Sequence, residues 1–378
     1  MLKRHKIVYA LLIAPVRLFL RIKFGYKFKK IKKKDLPEKY IVLSNHNTDY
    51  DPLFVGASFS KQMYFVASEH ISRWKNAYKF LRWGFEPIMR YKGSTAYSTV
   101  MDVLRKIRAG ASVCIFAEGA RSWDGITGPI LPSTGKMVKS AKCALITYKI
   151  EGGYFISPNW SQSNTRRGRI YGAPVNIYTA EQLASMSADE INGIIKRDLY
   201  EDAYERQLAS PAKYKGKNLA FRMENMLFMC PECGAVDSIT SHGDTVECTN
   251  CAMKFRYNEY GMLEDSPFTT VRELYTWLKG KVAEDAANGT SYTAESCKLI
   301  EVSKHTEIPV CEGPLRFGKD GFTCGDVNIP LETITDLAMH GRRAIVFSAQ
   351  NKYYELTPSE EANSLKFHML YLAYAEQK

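Results

Sequence analysis

The first 34 residues contain no acidic side chain. They hold 12 of the 52 lysines and arginines, which leaves 40 basic against 40 acidic residues in the rest of the chain. The net charge of +12 is therefore local, and the body of the protein has no general basic surface of the kind that binds nucleic acid. A second absence is an apolar run of the ~20 residues that cross a bilayer. The stretch from Ile7 to Val16 is uncharged, but Pro15 and Arg17 interrupt it before Leu18-Phe19-Leu20. No small-x-small cleavage site follows, and the next residues are strongly basic, so a secretory signal is not expected. There is no internal repeat, and the only low-complexity segment is the lysine run. With 45% hydrophobic and 24% charged residues, the 378-residue chain is globular and long enough for two or three domains.

An apolar face beside many lysines suits a segment lying in the interface of an anionic cytoplasmic leaflet, at about 1 kcal/mol per basic residue. Residues 1–34 are thus expected to form a peripheral or monotopic anchor at the cytoplasmic face of a membrane. The alternative is a core helix with a solvated lysine tail.

Strands and helices then alternate. Tyr40–Leu43, Met63–Ala67, Val113–Phe116 and Ala144–Ile150 read as strands, the first and third being continuous apolar runs. Between them, Asp51–Val55 opens a helix and Gly84–Arg90 is extended. The spacing of Val100, Val103, Leu104 and Ile107 predicts a helix over Ser94–Arg108 ending at Gly110, and another lies near Thr134–Lys142. Met186–Gln207 reads as one charged amphipathic helix. The pattern is that of an α/β domain with a mostly parallel sheet.

His46 stands at the end of the first strand, where sheet-based enzymes keep their chemistry. Asp51 is close enough for one turn of chain to return its carboxylate to the ring. Such a carboxylate fixes the tautomer and leaves the other nitrogen as a base. A satisfied histidine in a polar turn is the bland alternative. The second candidate is Glu118-Gly119-Ala120-Arg121-Ser122, at the end of another strand. Glycine there admits close backbone approach, and an arginine fork matches phosphate geometry. A surface turn with a salt-bridged Arg121 is its alternative.

Taken in order and spacing, Asn45-His46 with Asp51, then Arg90, then Phe116–Ser122 resemble the glycerophospholipid acyltransferase superfamily, over roughly residues 15–205. That family has an Asn-His-x-x-x-x-Asp block and a Phe-Pro-Glu-Gly-Thr-Arg-Ser block. Here Ala117 and Ala120 replace the proline and threonine, and the strand Ala144–Tyr148 lacks the family's proline. The resemblance implies His46 as general base and Asp51 as its orienter, with Asp49 a bystander. Asn45 would order the turn. Arg90, Glu118, Gly119, Arg121 and Ser122 would hold the acceptor, with Arg121 on its phosphate and Glu118 orienting an arginine or bonding a glycerol hydroxyl. The implied reaction moves a fatty acyl group from acyl-CoA or acyl-carrier protein to the hydroxyl of a lysophospholipid, foremost 1-acyl-glycerol-3-phosphate. An inactive membrane adaptor is the competing reading.

Past a boundary near Ala212–Lys217 lie Cys230-Pro-Glu-Cys233 and Cys248-Thr-Asn-Cys251, with His242-Gly243-Asp244 as a turn between them. Two such pairs offer four thiolates to one structural zinc, a zinc ribbon. The other cysteines, at 114, 143, 297, 311 and 324, are single and odd in number, which suits a reducing compartment rather than disulfides. Asp237, Asp244 and Glu247 leave the ribbon without a basic face, so protein contact or simple stapling is expected there and nucleic acid is not. Thr270–Ala286 reads as a helix. Several short strands follow, with a hairpin at Asp320-Gly321 and a capping box at Thr357–Glu360 before a last helix, a pattern similar to a pleckstrin-homology-like domain. Arg166, Arg167 and Arg169, and Arg342-Arg343, are candidate headgroup contacts or solvated turns. The expected organisation is an anchor (1–34), an acyltransferase domain (35–220), a zinc ribbon (221–262), a helical linker (263–290) and a β domain (291–378).

Overall fold

No position from Tyr40 to Ser44 is exposed, as a continuous apolar run requires of a strand covered on both faces. This strand is the centre of the first of two compact units in the computed structural model, residues 1–159 with 165–216; the second is 160–164 with 217–378. The structure describes every residue except 1–2, 69–70, 72–74, 91–95, 162–163, 304–305, 360–361 and 378, and the side chain of residue 96.

The first unit runs α1 (Lys3–Phe24), β1 (Lys27–Phe28), β2 (Tyr40–Ser44), α2 (Asp51–Ser58), β3 (Tyr64–Ser68), α3 (Asn76–Phe85), β4 (Ile88–Arg90) and α4 (Ala96–Arg108). It continues with β5 (Val113–Phe116), α5 (Ser133–Ala141), β6 (Ala144–Glu151), α6 (Gly153–Ile156), β7 (Tyr171–Tyr178), α7 (Ala180–Ser185), α8 (Ala188–Leu199) and α9 (Ala203–Ala209). The sheet order is β1-β7-β6-β2-β5-β3-β4. Within it β6, β2, β5, β3 and β4 are parallel, and β7 returns antiparallel along β6. The α/β reading with a mostly parallel sheet therefore holds. On one face Val103, Leu104 and Ile107 of α4, Met137 and Val138 of α5, and Ile191 and Ile195 of α8 pack against Ile41, Leu43, Val113 and Leu145.

Some boundaries move. Gly84 and Phe85 end α3 rather than beginning an extended segment, and only Ile88–Arg90 pairs as a strand. Ser94 lies outside the described residues, and α4 is described from Ala96. The single helix expected over Met186–Gln207 is two: α8 opens with a capping box at Ser187 and Glu190, and Asp202 caps α9 through the N–H groups of Tyr204 and Glu205. A continuous amphipathic pattern does not reveal such an internal cap.

Helix α1 is 22 residues long and keeps Pro15 inside it. Among the described residues no helix is long and apolar enough to cross a membrane. Arg17, which breaks the apolar run, is turned inward: its Nε donates to Ala57 O at 2.8 Å and its Nη2 to Phe59 O at 3.3 Å. Tyr9 Oη donates to Gly56 O and Phe59 O. These are carbonyls at the C-terminus of α2, where a cation is favoured by the helix dipole. One side of α1 thus fastens the helix whose first residue is Asp51. The other side leaves Ile7, Leu11, Leu18, Phe19 and Ile22 exposed.

The second unit contains a four-stranded antiparallel sheet, β8 (Ile239–His242), β9 (Thr245–Cys248), β10 (Lys254–Tyr257) and β11 (Leu263–Glu264). Helix α10 (Val271–Ala287) follows, with a capping box at Thr270 and Glu273. Then come β12 (Tyr292–Ser303), β13 (Thr306–Gly318), β14 (Gly321–Cys324), β15 (Val327–Pro330), β16 (Thr335–His340), β17 (Ala344–Ala349), β18 (Lys352–Pro358) and α11 (Ser364–Glu376). The last seven strands form one antiparallel sheet, β15-β14-β13-β12-β18-β17-β16. Phe317, Phe322, Phe347 and Tyr354 stack in succession across it, 4.1–5.5 Å between ring centres. The hairpin at Asp320-Gly321 is present, with Gly321 at φ +112°. The expected capping box is displaced: Pro358 ends β18, and α11 is capped by Asn363, whose side chain accepts from Lys366 N. Glu360 lies outside the described residues. Arg342 and Arg343 occupy the turn between β16 and β17.

If Arg17 holds α2 in this way, Arg17→Ala should lower stability by about 1–3 kcal/mol, read as a shift in the urea unfolding midpoint. A loss below about 0.5 kcal/mol, the range of ordinary surface substitutions, would show that the contact does not fasten the helix.

Candidate active site

Because β2 and β5 are adjacent and parallel, with Ser44 opposite Phe116, their carboxyl ends deliver residues 45–51 and 117–122 to the same edge of the sheet. Ala117 N donates to Ser44 O at 3.2 Å and continues the ladder one step past the strands. The two blocks are therefore neighbours by topology.

The first block is folded around one carboxylate. Asp51 Oδ2 lies 2.9 Å from His46 Nδ1 and accepts from Asn47 N at 2.6 Å and Thr48 N at 2.9 Å, while Oδ1 accepts from Thr48 Oγ1 at 2.7 Å. Asp51 is completely buried, and the His46 side chain is 22% exposed. A carboxylate only accepts, so Nδ1 carries the hydrogen and Nε2 presents its lone pair. The imidazole stacks on Phe116, ring centres 4.5 Å apart and planes at 21°, which fixes its second degree of freedom. Asn45 does order the turn: its side chain donates to Ile150 O at 2.9 Å and accepts from Ile150 N at 2.8 Å, tying the end of β2 to β6.

Among the described residues Glu118 pairs with no arginine. Its Oε1 accepts from His46 N at 2.6 Å and its Oε2 from Gly128 N at 2.5 Å, so it clamps the two loops by their backbones. Burial pushes this carboxyl up to about 8; the Gly128 and His46 N–H groups pull it back, and Asp51 and Glu201 add to the rise. Gly119 sits at φ +71°, and a β-carbon there would lie 3.9 Å from Arg90 Nη1. Arg90, at the end of β4, thus reaches over the second block. Arg121 Nη1 lies 3.2 Å from Asp49 Oδ2. Ser122 is buried; its hydroxyl donates to Asp124 Oδ1 and accepts from Gly125 N, which makes it part of the turn.

Two contributors were not legible beforehand. Glu201, between α8 and α9, is buried and lies behind the first block. It accepts from Asn45 Nδ2 at 3.3 Å and Gly152 N at 3.0 Å and pairs with Arg206, whose Nη2 is 3.1 Å from its Oε1. Gly153 abuts Asn47 so closely that a β-carbon would lie 2.9 Å from the Asn47 Cβ. The three-arginine cluster, by contrast, is not a headgroup site as a whole. Arg166 is buried with its Nη1 on Phe155 O, and Arg169 is held by Ser210.

Residues 27–151 match the family model described as Acyltransferase. The match lies within the first unit. Its family segment spans β1 to the end of β6, so Glu201 and Arg206 lie beyond it. No curated protein matches the chain. Among solved structures it is similar to the 1-acyl-sn-glycerophosphate (LPA) acyltransferase PlsC of Thermotoga maritima. The likeness is 14% in sequence, with a TM-score of 0.43, over 53% of this chain and 81% of that one.

In the second unit, Cys230, Cys233, Cys248 and Cys251 bring their sulfurs within 4.8 Å of one another, a group that could hold a metal ion. The first pair sits on a tight knuckle in which Gly234 N donates to Cys230 O, and the second begins at the last residue of β9. Sγ–Sγ separations of 3.7 Å (Cys230–Cys251) and 3.8 Å (Cys233–Cys248) compare with a tetrahedral edge of about 3.8 Å for four sulfurs about 2.3 Å from zinc. Asn250 points its backbone N–H at Cys248 Sγ and its amide at Cys233 Sγ, donors suited to thiolates.

Burial pushes the Glu201 carboxyl up to about 7, Arg206 and the Gly152 N–H pulling it back and Glu151 adding to the rise. In the unfolded chain the ordinary value of 4.5 applies. Folding therefore takes up protons between about pH 4.5 and 8 at Glu118 and Glu201, and their contribution to stability falls as pH rises through that window. Urea midpoints between pH 5 and 8 should decline less steeply in Glu201→Gln than in the parent. Equal slopes would exclude Glu201 as a titrating group.

Proposed function

We propose that the domain transfers a fatty acyl group from a thioester donor, acyl-CoA or acyl-carrier protein, to the hydroxyl of a membrane lysophospholipid. The observation that carries this reading is the His46–Asp51 pair beside two arginines, inside an acyltransferase-family segment. His46 Nε2 takes the acceptor's hydroxyl proton as its oxygen attacks the thioester carbonyl. The tetrahedral oxyanion collapses, the C–S bond breaks, and the imidazolium returns the proton to the leaving thiolate. Asp51 holds the tautomer and faces the developing imidazolium charge. Arg90 and Arg121 hold the acceptor phosphate.

The same reading places the protein on the cytoplasmic face of a membrane. The exposed apolar side of α1 is joined on α3 by the exposed Phe80 and Trp83, with Arg4 Nε donating to Trp83 O. Arg4, Lys79, Arg82, Trp83 and Glu86 line a shallow cavity of about 360 Å³ there. Apolar side chains rimmed by cations suit an anionic leaflet. In the second unit we propose a structural zinc held by the four cysteines, a closed site with no position left for substrate.

With labelled acyl donor and lysophospholipid, His46→Ala should reduce turnover by about 10³-fold or more while flotation with anionic vesicles persists. Unchanged turnover would sink the mechanism. Elemental analysis should find one zinc per chain in the purified protein, lost in Cys248→Ser; full occupancy in that variant would rule out the four-thiolate site.

A further inference from the structure

Four stretches of chain far apart in sequence close a ring of hydrogen bonds around the backbone of His46. His46 N donates to Glu118 Oε1, and the other oxygen of Glu118 accepts from Gly128 N. One residue earlier, Thr127 is bound to Glu201 in both directions. Thr127 N donates to Glu201 O at 3.0 Å, and Glu201 N donates to Thr127 Oγ1 at 2.8 Å. The Glu201 side chain then returns to the start, accepting from Asn45 Nδ2, next to His46 in the chain, at 3.3 Å. A bridge between Ile126 and Asp202, and Ala203 N on Gly125 O at 3.0 Å, continue the same seam.

This ring does what the Asp51 bonds cannot. Those bonds fix the imidazole within its own loop, residues 46–51, but they do not fix that loop against the one carrying Arg121. Proton transfer at a bound acceptor depends on the distance between the two, and a misplacement of about 1 Å can cost about 10²-fold in rate. Glu201 is buried, and the groups that meet its carboxylate are donors: Asn45 Nδ2, Gly152 N, and Nε and Nη2 of Arg206. A glutamine of the same volume would set its NH₂ group against one of them in either orientation. We infer that Glu201 is a positioning residue, which holds the His46 loop in register with the Arg121 loop through Asn45 and Thr127. The working site then extends past the family segment, which ends at residue 151. The kinetic consequence rests on the acyl-transfer reading; the positioning itself does not.

The test uses the full chain and three variants. Glu201→Gln should lower kcat by about 10- to 100-fold with little change in the acceptor KM. Thr127→Val, which removes the hydroxyl from the opposite side of the ring, should lower kcat in the same way. The double variant should fall no further than the lower of the two singles, as expected of one network. Ile195→Val, in the core under the sheet, should lower the urea midpoint and leave kcat alone. Independently of turnover, the His46 ring ¹⁵N and ¹H signals, assigned by their loss in His46→Gln, should shift in Glu201→Gln and Thr127→Val. An unchanged kcat in folded Glu201→Gln, losses that multiply in the double variant, or an equal loss in Ile195→Val would overturn the inference. If the parent transfers no acyl group, the ring signals decide: shifts keep the role of Glu201 while the acyl-transfer reading fails, and unmoved signals remove it. Should Glu201→Gln not fold, Thr127→Val decides by the same two readouts.

Discussion

The Asp51 carboxylate accepts from four donors within three residues: His46 Nδ1, the backbone N–H groups of Asn47 and Thr48, and the Thr48 hydroxyl. Removed from water, it must be satisfied in this way, because an unpaired buried charge costs several kcal/mol. The same bonds that satisfy it wrap the loop and aim the imidazole. Around them lies a second layer: Glu118 clamping the His46 amide, Asn45 bridging β2 to β6, and Glu201 holding Asn45 from behind. The imidazole is thus oriented from the core outward.

The sheet supplies what the loops cannot. Parallel neighbours β2 and β5 end level with each other, so two blocks some 70 residues apart in the chain become adjacent without any contact of their own having to bring them together. The core helices pack on one face; α2 begins where the histidine loop ends, and the inward side of α1 fastens the far end of α2. Helix α1 carries two unlike faces. Tyr9 and Arg17 look inward to carbonyls of α2, and Ile7, Leu11, Leu18 and Ile22 look out. An arginine in the middle of an apolar run is the part that attaches the helix to the domain.

In the second unit the four cysteines that could hold a metal ion lie beside a small four-stranded sheet, a setting in which a metal bound by thiolates would supply folding free energy. Lys366 of α11, buried, bonds Asp237 near the first cysteine pair and Thr293 O on β12, which joins ribbon, helix and large sheet.

Much of this was legible from residues alone, for a physical reason: motifs whose chemistry is set by residue type and local spacing survive without tertiary information. Asp51 can reach His46 because one turn of chain suffices, and Cys-x-x-Cys pairs converge because a knuckle is a local structure. Continuous apolar runs announced β2 and β5, since only a strand covered on both faces needs them. What tertiary structure decided were the partners of charged groups far apart in sequence. Glu118 was matched by type to an arginine but is held by two backbone amides. Asp49, set aside because it cannot serve His46, faces Arg121 on another loop. Glu201 and Arg206 looked like ordinary charges on an amphipathic helix until the chain turned at Asp202, buried Glu201 behind Asn45 and set Arg206 against it. A charge in sequence shows its sign; only the packed chain assigns its counter-charge and how much water remains between them.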